Sequence, residues 1–233
     1  MTLSPILTTP EIPMVMVALD HDQYRLAALL STRTEHNIGF KVNLDFLLQE
    51  GISYVGRRLK DHGRPLFADV KMWNGRRTMM SIMEQLAEAG FDYANVHILA
   101  GPEIPQKNYG FPFKLLGVAL LTHYDEHYGH EYFVRSTTGQ IIKLIDRANA
   151  MPALDGVIAG AKFLPNVWEG KLRVCPGVRP SWYSDARHAA PVTPAEAVKL
   201  GADILVIGSP ITKADDPLTA IDRIFREMAN DPG

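Results

Sequence analysis

The chain has very little cysteine, no long hydrophobic run and almost no net charge. Cys175 is the only cysteine among 233 residues, so no internal disulfide can form, and a reducing cytoplasm fits this composition. No run of 18 or more apolar residues occurs, and the first 13 residues lack a basic region followed by an apolar run, so we expect neither a membrane span nor a signal peptide. The net charge of −2 excludes a strong electrostatic attraction to nucleic acid or to an anionic membrane.

The chain does contain eight short apolar runs. Buried parallel strands are typically continuous apolar runs, and strands that alternate with helical patterns indicate βαβ units. Eight such units in a chain of this length favour a closed barrel over an open sheet, so we predict a single (β/α)8 TIM-type barrel domain over residues 1–233. The runs are Met14–Leu19, Gly39–Val42, Pro65–Val70, Tyr93–Leu99, Leu115–Leu121, Gly156–Ala159, Leu172–Val174 and Ile204–Ile207.

Segments with helical spacing separate most of these runs. One connection is different, because residues 101–113 contain three prolines and two glycines, and we predict a loop or a single turn there. The predicted helices are Asp22–Ser31, Leu44–Asp61, Arg77–Ala89, Glu131–Ala150, Pro194–Leu200 and Asp216–Ala229.

Polar residues recur at the downstream ends of the apolar runs. In a (β/α)8 barrel these positions share one rim, which is where the sites of such enzymes lie. No single residue of this set is informative, but their convergence on one rim predicts a site. The set is Asp20, Lys41, Asp69, Lys71, His97, Thr122, Arg179, Gly208 and Ser209.

Asp69 and Lys71 are the most distinctive members of the set. They are two residues apart on a predicted strand, so their side chains point to the same face. A carboxylate beside an ammonium favours the charged form of both groups. Spacing alone leaves two interpretations open, a reactive pair or a salt bridge at the barrel rim.

The surrounding sequence resembles a known family. The stretch from Phe67 to Thr78 contains Asp69-Val-Lys71-Met-Trp-Asn74, which is similar to the Asp-x-Lys-x-x-Asp signature of the orotidine 5′-phosphate decarboxylase suprafamily. Further matches occur in order over nearly the whole chain. They are Val17-Ala-Leu-Asp20, Gly39-Phe-Lys41-Val, Asn95-Val-His97, Leu121-Thr122, Pro176-Gly-Val-Arg179-Pro, Thr193-Pro-Ala-Glu-Ala-Val and Gly208-Ser-Pro-Ile-Thr212.

This resemblance implies an activity and a set of roles. The parent reaction releases CO2 from orotidine 5′-phosphate and gives uridine 5′-phosphate for pyrimidine biosynthesis. The resemblance implies that Asp69 lies near the substrate carboxylate, that Lys71 donates the proton, and that Lys41 holds Asp69 and the ribose. It implies no organic cofactor and no metal, and it implies a homodimer in which the last position of the signature, here Asn74, reaches across the interface. The residues implied to contact the substrate are Asp20, Thr78, His97, Thr122, Arg179, His188, Gly208 and Ser209.

Two departures from the family pattern fall on functional positions. Asn74 occupies the place of an acid, so the charged array loses one negative charge. Ser209 stands where such decarboxylases carry arginine, which removes a bidentate partner of the phosphate. The preceding loop lacks the usual phosphate-contacting glutamine, and Arg187 or His188 could substitute for it.

A third departure is the histidine-rich segment from His123 to His130, which replaces a short lid over the base. Histidines at 123, 127 and 130 with two acids have the spacing of metal ligands. The alternatives are an exposed polar loop or first helical turn, and an altered lid that faces a different substrate ring. Gly129 interrupts the helical spacing, which counts against a metal site, and we expect none.

Three functions remain open at this point. The first is a decarboxylase of orotidine 5′-phosphate or a close analogue, carried by intact Lys41, Asp69 and Lys71. The second is a metal-dependent sugar-phosphate decarboxylase or aldolase of the same suprafamily. The third is a nucleotide-binding protein that has kept the fold and lost the chemistry.

Overall fold

The strands close into a parallel barrel in sequence order. The computed structural model describes residues 13–107, 110–121, 124–133, 136–184 and 192–229. Each strand pairs with its neighbours along the chain, and β1 pairs with β8, which confirms the predicted TIM-type barrel. The strands are β1 (Met14–Leu19), β2 (Ile38–Asn43), β3 (Leu66–Met72), β4 (Tyr93–His97), β5 (Lys114–Val118), β6 (Gly156–Ile158), β7 (Leu172–Cys175) and β8 (Ile204–Ile207).

Helices connect the strands on the outside of the barrel, and two predicted helices were wrong in extent. The expected helix Leu44–Asp61 is broken at Gly51, whose positive φ of 88° ends one helix before the next begins. The expected helix Glu131–Ala150 is also two helices. The helices are α1 (Tyr24–Ser31), α2 (Leu44–Glu50), α3 (Ile52–Lys60), α4 (Arg76–Glu88), α5 (Glu126–Phe133), α6 (Thr137–Asn149), α7 (Pro194–Lys199), α8 (Ser209–Thr212) and α9 (Pro217–Ala229).

The connection from β4 to β5 was predicted as a loop or a single turn. Its described residues contain a short 3₁₀ helix, Ile98–Glu103, and no α-helix, as the prolines and glycines there predicted. No helix in the described ranges is long and apolar enough to cross a membrane.

The core has two layers. A large outer cluster lies between the strands and the helices. A smaller inner cluster fills the barrel itself and includes Phe67 and Val118, both of which also line the cavity above it. This filled interior makes the barrel a packed core with its site at one end. The buried residues of the inner cluster are Met16, Phe67, Leu116, Val118, Ile158, Val174 and Ile204.

At the opposite end of the barrel, the same hydrogen bond between an aspartate and a strand backbone occurs three times. Asp92, Asp155 and Asp203 directly precede β4, β6 and β8. Each accepts a hydrogen bond from a backbone N–H at the start of the preceding strand, at distances of 2.7–2.8 Å. Such bonds satisfy strand ends that the ladder leaves unpaired. This end therefore carries structural contacts, while the polar residues at the carboxyl ends of the strands are available for a site.

Candidate active site

A cavity of about 560 Å³ opens at the carboxyl ends of the strands. This is the end of a (β/α)8 barrel at which active sites lie. Seven residues predicted from the sequence line it: Asp20, Lys41, Asp69, Lys71, Arg179, Gly208 and Ser209.

Asp69 is the centre of the charged cluster in this cavity. Its Oδ2 accepts a hydrogen bond from Lys41 Nζ at 2.8 Å, and its Oδ1 accepts one from Lys71 Nζ at 2.6 Å. Lys41 also donates to Asn43, the last residue of its own strand. The Lys41 side chain is only 8% exposed and that of Asp69 12%, whereas that of Lys71 is 38% exposed. Lys71 is therefore the ammonium of the pair that is open to a bound molecule.

The Asp69 carboxyl stays ionised in this environment. Burial raises its pKa, but the two adjacent ammonium groups of Lys41 and Lys71 outweigh burial and lower the pKa from 3.8 to about 2. At neutral pH the cluster therefore holds one carboxylate between two cations, and both carboxylate oxygens are engaged.

The backbone of β3 is irregular where it carries this pair. Ala68 pairs with Ala94, but the next pair joins Met72 to Val96, so three residues of β3 face one residue of β4. Lys71 has a positive φ of 46° inside this irregularity. The sequence predicted that Asp69 and Lys71 share a face because they alternate on a regular strand. In the structure, Lys71 instead has a left-handed backbone conformation.

His97 lies beside the cavity but does not line it. It is 8% exposed, and its ring contacts the ring of Trp73 with centroids 5.0 Å apart. Burial, and then the nearby Lys71 ammonium, lower the pKa of His97, so the ring is neutral at neutral pH. The predicted substrate contact by His97 stays a prediction.

The remaining predicted residues lie elsewhere. Asn74 and Thr78 are exposed, on the β3–α4 connection and the first turn of α4, and neither lines the cavity of this chain. Thr122 and His188, which were predicted to contact the substrate, lie outside the described residues, as does Arg187.

The described part of the histidine-rich segment runs into α5, which begins at Glu126. His127 has a side chain 83% exposed and lies 3.8 Å from Glu131, while His123 lies outside the described residues. Among the described residues, the group whose ligand atoms are close enough to share a cation is Glu35, His36 and Asp222, far along the chain from this segment.

α5 is tightly joined to α6. Gly129 donates its backbone N–H to Thr137 Oγ1 at 2.7 Å, and a Cβ at position 129 would lie 2.1 Å from the Thr137 nitrogen. Gly129, which the sequence showed as an interruption, is therefore required by this close approach. Tyr124 donates its backbone N–H to Leu121, a residue of the cavity wall, and its ring stacks on Tyr128 at 3.9 Å. This segment is thus an aromatic extension of the cavity wall.

Comparison with known proteins assigns the chain to a family. A family model described as "Orotidine 5'-phosphate decarboxylase / HUMPS family" matches residues 13–224. The chain belongs to this family.

Individual relatives agree with this assignment. The chain is 31% identical over 198 residues to an orotidine 5'-phosphate decarboxylase of Aquifex aeolicus, covering 81% of this chain and 84% of that protein. It is 27% identical over 226 residues to the Streptococcus pneumoniae protein of the same name, covering 93% and 97% of the two chains. The crystal structure of orotidine 5'-phosphate decarboxylase from Lactobacillus acidophilus matches with a TM-score of 0.75 and 28% identity, over 94% of this chain and 100% of that one. The homologues thus support a decarboxylase at the level of the family.

Two residues that line the cavity, Asn95 and Lys213, were missed as site residues in the sequence. Asn95 is fully buried and bonds both Asp69 and the Lys71 backbone. Its position two residues before His97 on a strand, hence on the same face, was the available signal. Lys213 lines the cavity with Ser209. It lies four residues after Ser209, a spacing that places two residues on one side of a helical turn.

Proposed function

We propose that this protein decarboxylates orotidine 5′-phosphate, or a closely related pyrimidine nucleotide, in the cytoplasm, with Lys71 as the proton donor. The observation that carries the proposal is the cluster of Lys41, Asp69 and Lys71 that lines the cavity. Asp69 accepts hydrogen bonds from both lysines, and Lys71 is the more exposed of the two ammonium groups. The family assignment supports the same reaction class.

The proposed reaction uses the charges of this cluster directly. The substrate carboxylate lies near ionised Asp69, and like-charge repulsion disfavours the bound carboxylate relative to the transition state, in which that charge is leaving. The bond from the ring carbon to CO2 breaks, and its electron pair remains on that carbon. The Lys71 ammonium stabilises this negative charge and transfers a proton to the carbon, which forms the C–H bond of the product.

Two cations that line the cavity support a nucleotide substrate. Ser209 cannot replace the bidentate bonds of an arginine, but Arg179 and Lys213 line the same cavity as Gly208 and Ser209. These two cations supply the charge that a phosphate monoester requires. They line the same cavity as the Asp69–Lys71 pair, as a nucleotide that contacts both groups would require.

We propose further that the protein is a homodimer with a shared site. Asn74 and Thr78 are exposed, so on this chain alone they have no role in the cavity. Exposed apolar residues follow the two adjacent strands at the same rim, namely Leu44 and Leu48 after β2 and Trp73 after β3. An interface over these residues would bury them and bring Asn74 towards a second copy of the chain.

Turnover of orotidine 5′-phosphate by the purified protein tests the reaction. The loss of substrate absorbance should depend on enzyme concentration and should be abolished by Lys71→Ala. A matched control is Lys143→Ala, which removes an exposed lysine on α6 that does not line the cavity.

Three other outcomes would overturn the proposal. Folded dimer without turnover above buffer contradicts decarboxylation. Turnover of a ketose phosphate that requires Mg²⁺ would identify the sugar-phosphate reaction instead. Tight calorimetric binding of uridine 5′-phosphate without any turnover would identify a non-catalytic nucleotide-binding protein.

Shared sites are tested by mixing two variants. Lys71→Ala and a bulky substitution, Asn74→Trp, should each be weakly active alone. If Asn74 serves the other subunit, a mixed dimer contains one site with both defects and one site with neither, so mixing should restore part of the activity. A monomer by sedimentation, or no gain on mixing, contradicts the shared site.

A further inference from the structure

The side chain of Asn95 occupies the place where the ladder between β3 and β4 is interrupted. Regular pairing stops at Ala68 and resumes at Met72, so Asn95 is the one residue of β4 that faces the three-residue bulge. In that bulge the Lys71 backbone N–H donates to Asn95 Oδ1 at 2.6 Å. The amide oxygen thus takes the role that a strand carbonyl has in a regular ladder, next to a lysine held at a φ of 46°.

The other end of the same amide bonds the catalytic carboxylate. Asn95 Nδ2 donates to Asp69 Oδ1 at 2.7 Å, and this is the oxygen that also binds Lys71 Nζ at 2.6 Å. Asn95 is completely buried, so water cannot substitute for either bond without a structural change. One side chain therefore joins the backbone of Lys71 to the carboxylate of Asp69.

Only an amide of this length satisfies both contacts. An aspartate at position 95 could accept from the Lys71 N–H but could not donate to Asp69, and a leucine could do neither. The orientation of the amide is also determined, because the oxygen faces a donor and the nitrogen faces an acceptor. The Lys71 N–H and the Asp69 carboxylate, two groups of the proposed reaction centre, together require an asparagine here in one orientation.

We propose that Asn95 is a positioning residue for the reaction. It holds Lys71 in the left-handed conformation that directs Nζ towards Asp69 and the cavity, and it orients the Asp69 carboxylate between the two lysines. Asn95 does not itself transfer a proton. The expected effect on kcat rests on the proposed function. The expected effect on the Lys71 backbone rests on the geometry of β3 alone.

The kinetic test compares Asn95→Ala with a matched control, Asn149→Ala. Asn149 is also a buried asparagine whose amide bonds two groups, donating to the Asn166 carbonyl at 2.9 Å and accepting from the Trp168 N–H at 3.1 Å, away from the cavity. We expect Asn95→Ala to lower kcat about 100-fold with KM changed less than threefold, since misplacement of a reacting group by about 1 Å has effects of this size. Asn149→Ala should leave kcat within twofold of wild type. An equal loss of kcat in both variants, or kcat retained in Asn95→Ala, overturns the proposal.

A crystal structure of the Asn95→Ala variant tests the proposal without relying on turnover. In a crystal structure of Asn95→Ala, we expect Lys71 to leave the left-handed region and its Nζ to separate from Asp69 Oδ1. Unchanged Lys71 backbone and ion pair would overturn the proposal. If Asn95→Ala does not fold, the same measurements are made on Asn95→Leu, which fills the space without either hydrogen bond. If wild-type protein has no decarboxylase activity, the proposed function fails, and the crystal structure still decides the role of Asn95.

Discussion

Lys71 Nζ lies 2.6 Å from Asp69 Oδ1, although the two residues belong to one strand and are separated by a single residue. A positive φ at Lys71 and an interrupted ladder to β4 accompany this contact. The pair is supported from β2 by Lys41 and from β4 by Asn95, so three adjacent strands contribute to one carboxylate. Such support would hold the groups of the proposed reaction in place before a ligand binds.

Removal of the Lys71 ammonium should abolish the chemistry and spare binding. We expect Lys71→Ala to lower kcat for orotidine 5′-phosphate by at least about 10³-fold, within the range of general acid catalysis. Calorimetry should find uridine 5′-phosphate bound within threefold of wild type, because the proposed phosphate contacts of Arg179 and Lys213 are unchanged. Retained turnover in Lys71→Ala would assign the proton donor to another group.

The Asp69 carboxyl should make the free energy of unfolding depend on pH in the acid range. Its folded pKa of about 2 is below its ordinary value of 3.8, so its contribution is present above pH 4 and is lost as the pH falls towards 2. The shift corresponds to about 2 kcal/mol of unfolding free energy. Urea unfolding of wild type and Asp69→Asn measures it, since asparagine does not titrate. The stability difference between the two proteins should shift by about this amount between pH 5 and pH 2, and a difference independent of pH contradicts the expectation.

The proposed phosphate end predicts a selective loss of nucleotide affinity. Arg179→Ala and Lys213→Ala should each weaken binding of uridine 5′-phosphate roughly tenfold, equivalent to about 1.4 kcal/mol. Binding of uridine, which has no phosphate, should change less than twofold in each variant. The measurement is calorimetry at two salt concentrations, with Lys143→Ala as the control. An equal loss for uridine would indicate a general structural effect in place of a phosphate contact.

Restoring the two residues in which this chain departs from the family should raise activity. We expect Asn74→Asp combined with Ser209→Arg to increase kcat/KM for orotidine 5′-phosphate by about tenfold or more, since each change adds a charge that the pattern contains. Ser209→Arg alone should act mainly on KM. If the double variant gains nothing, the two departures are not the cause of any altered specificity.

Residue order alone was enough to predict the barrel and most of its rim. Continuous apolar runs predicted all eight strands, because a strand that is buried on both faces is apolar at nearly every position. The same runs located the strand ends, and so predicted one shared rim for the seven residues that line the cavity. They are Asp20, Lys41, Asp69, Lys71, Arg179, Gly208 and Ser209. The break between α2 and α3 could not be predicted from the sequence, since the spacing of apolar residues continues across Gly51.

The arrangement of the charged cluster around Asp69 depends on contacts between strands. The bulge of β3 arises from its pairing with β4, and pairing register is a property of two strands that neither one encodes alone. For the same reason the bonds of the Asn95 amide to Asp69 and to the Lys71 backbone could not be assigned from residue order. The outward position of Asn74 likewise follows from where the β3–α4 connection turns as the barrel closes. Local pattern determines which residues reach the rim, and the closure of eight strands determines which of them touch.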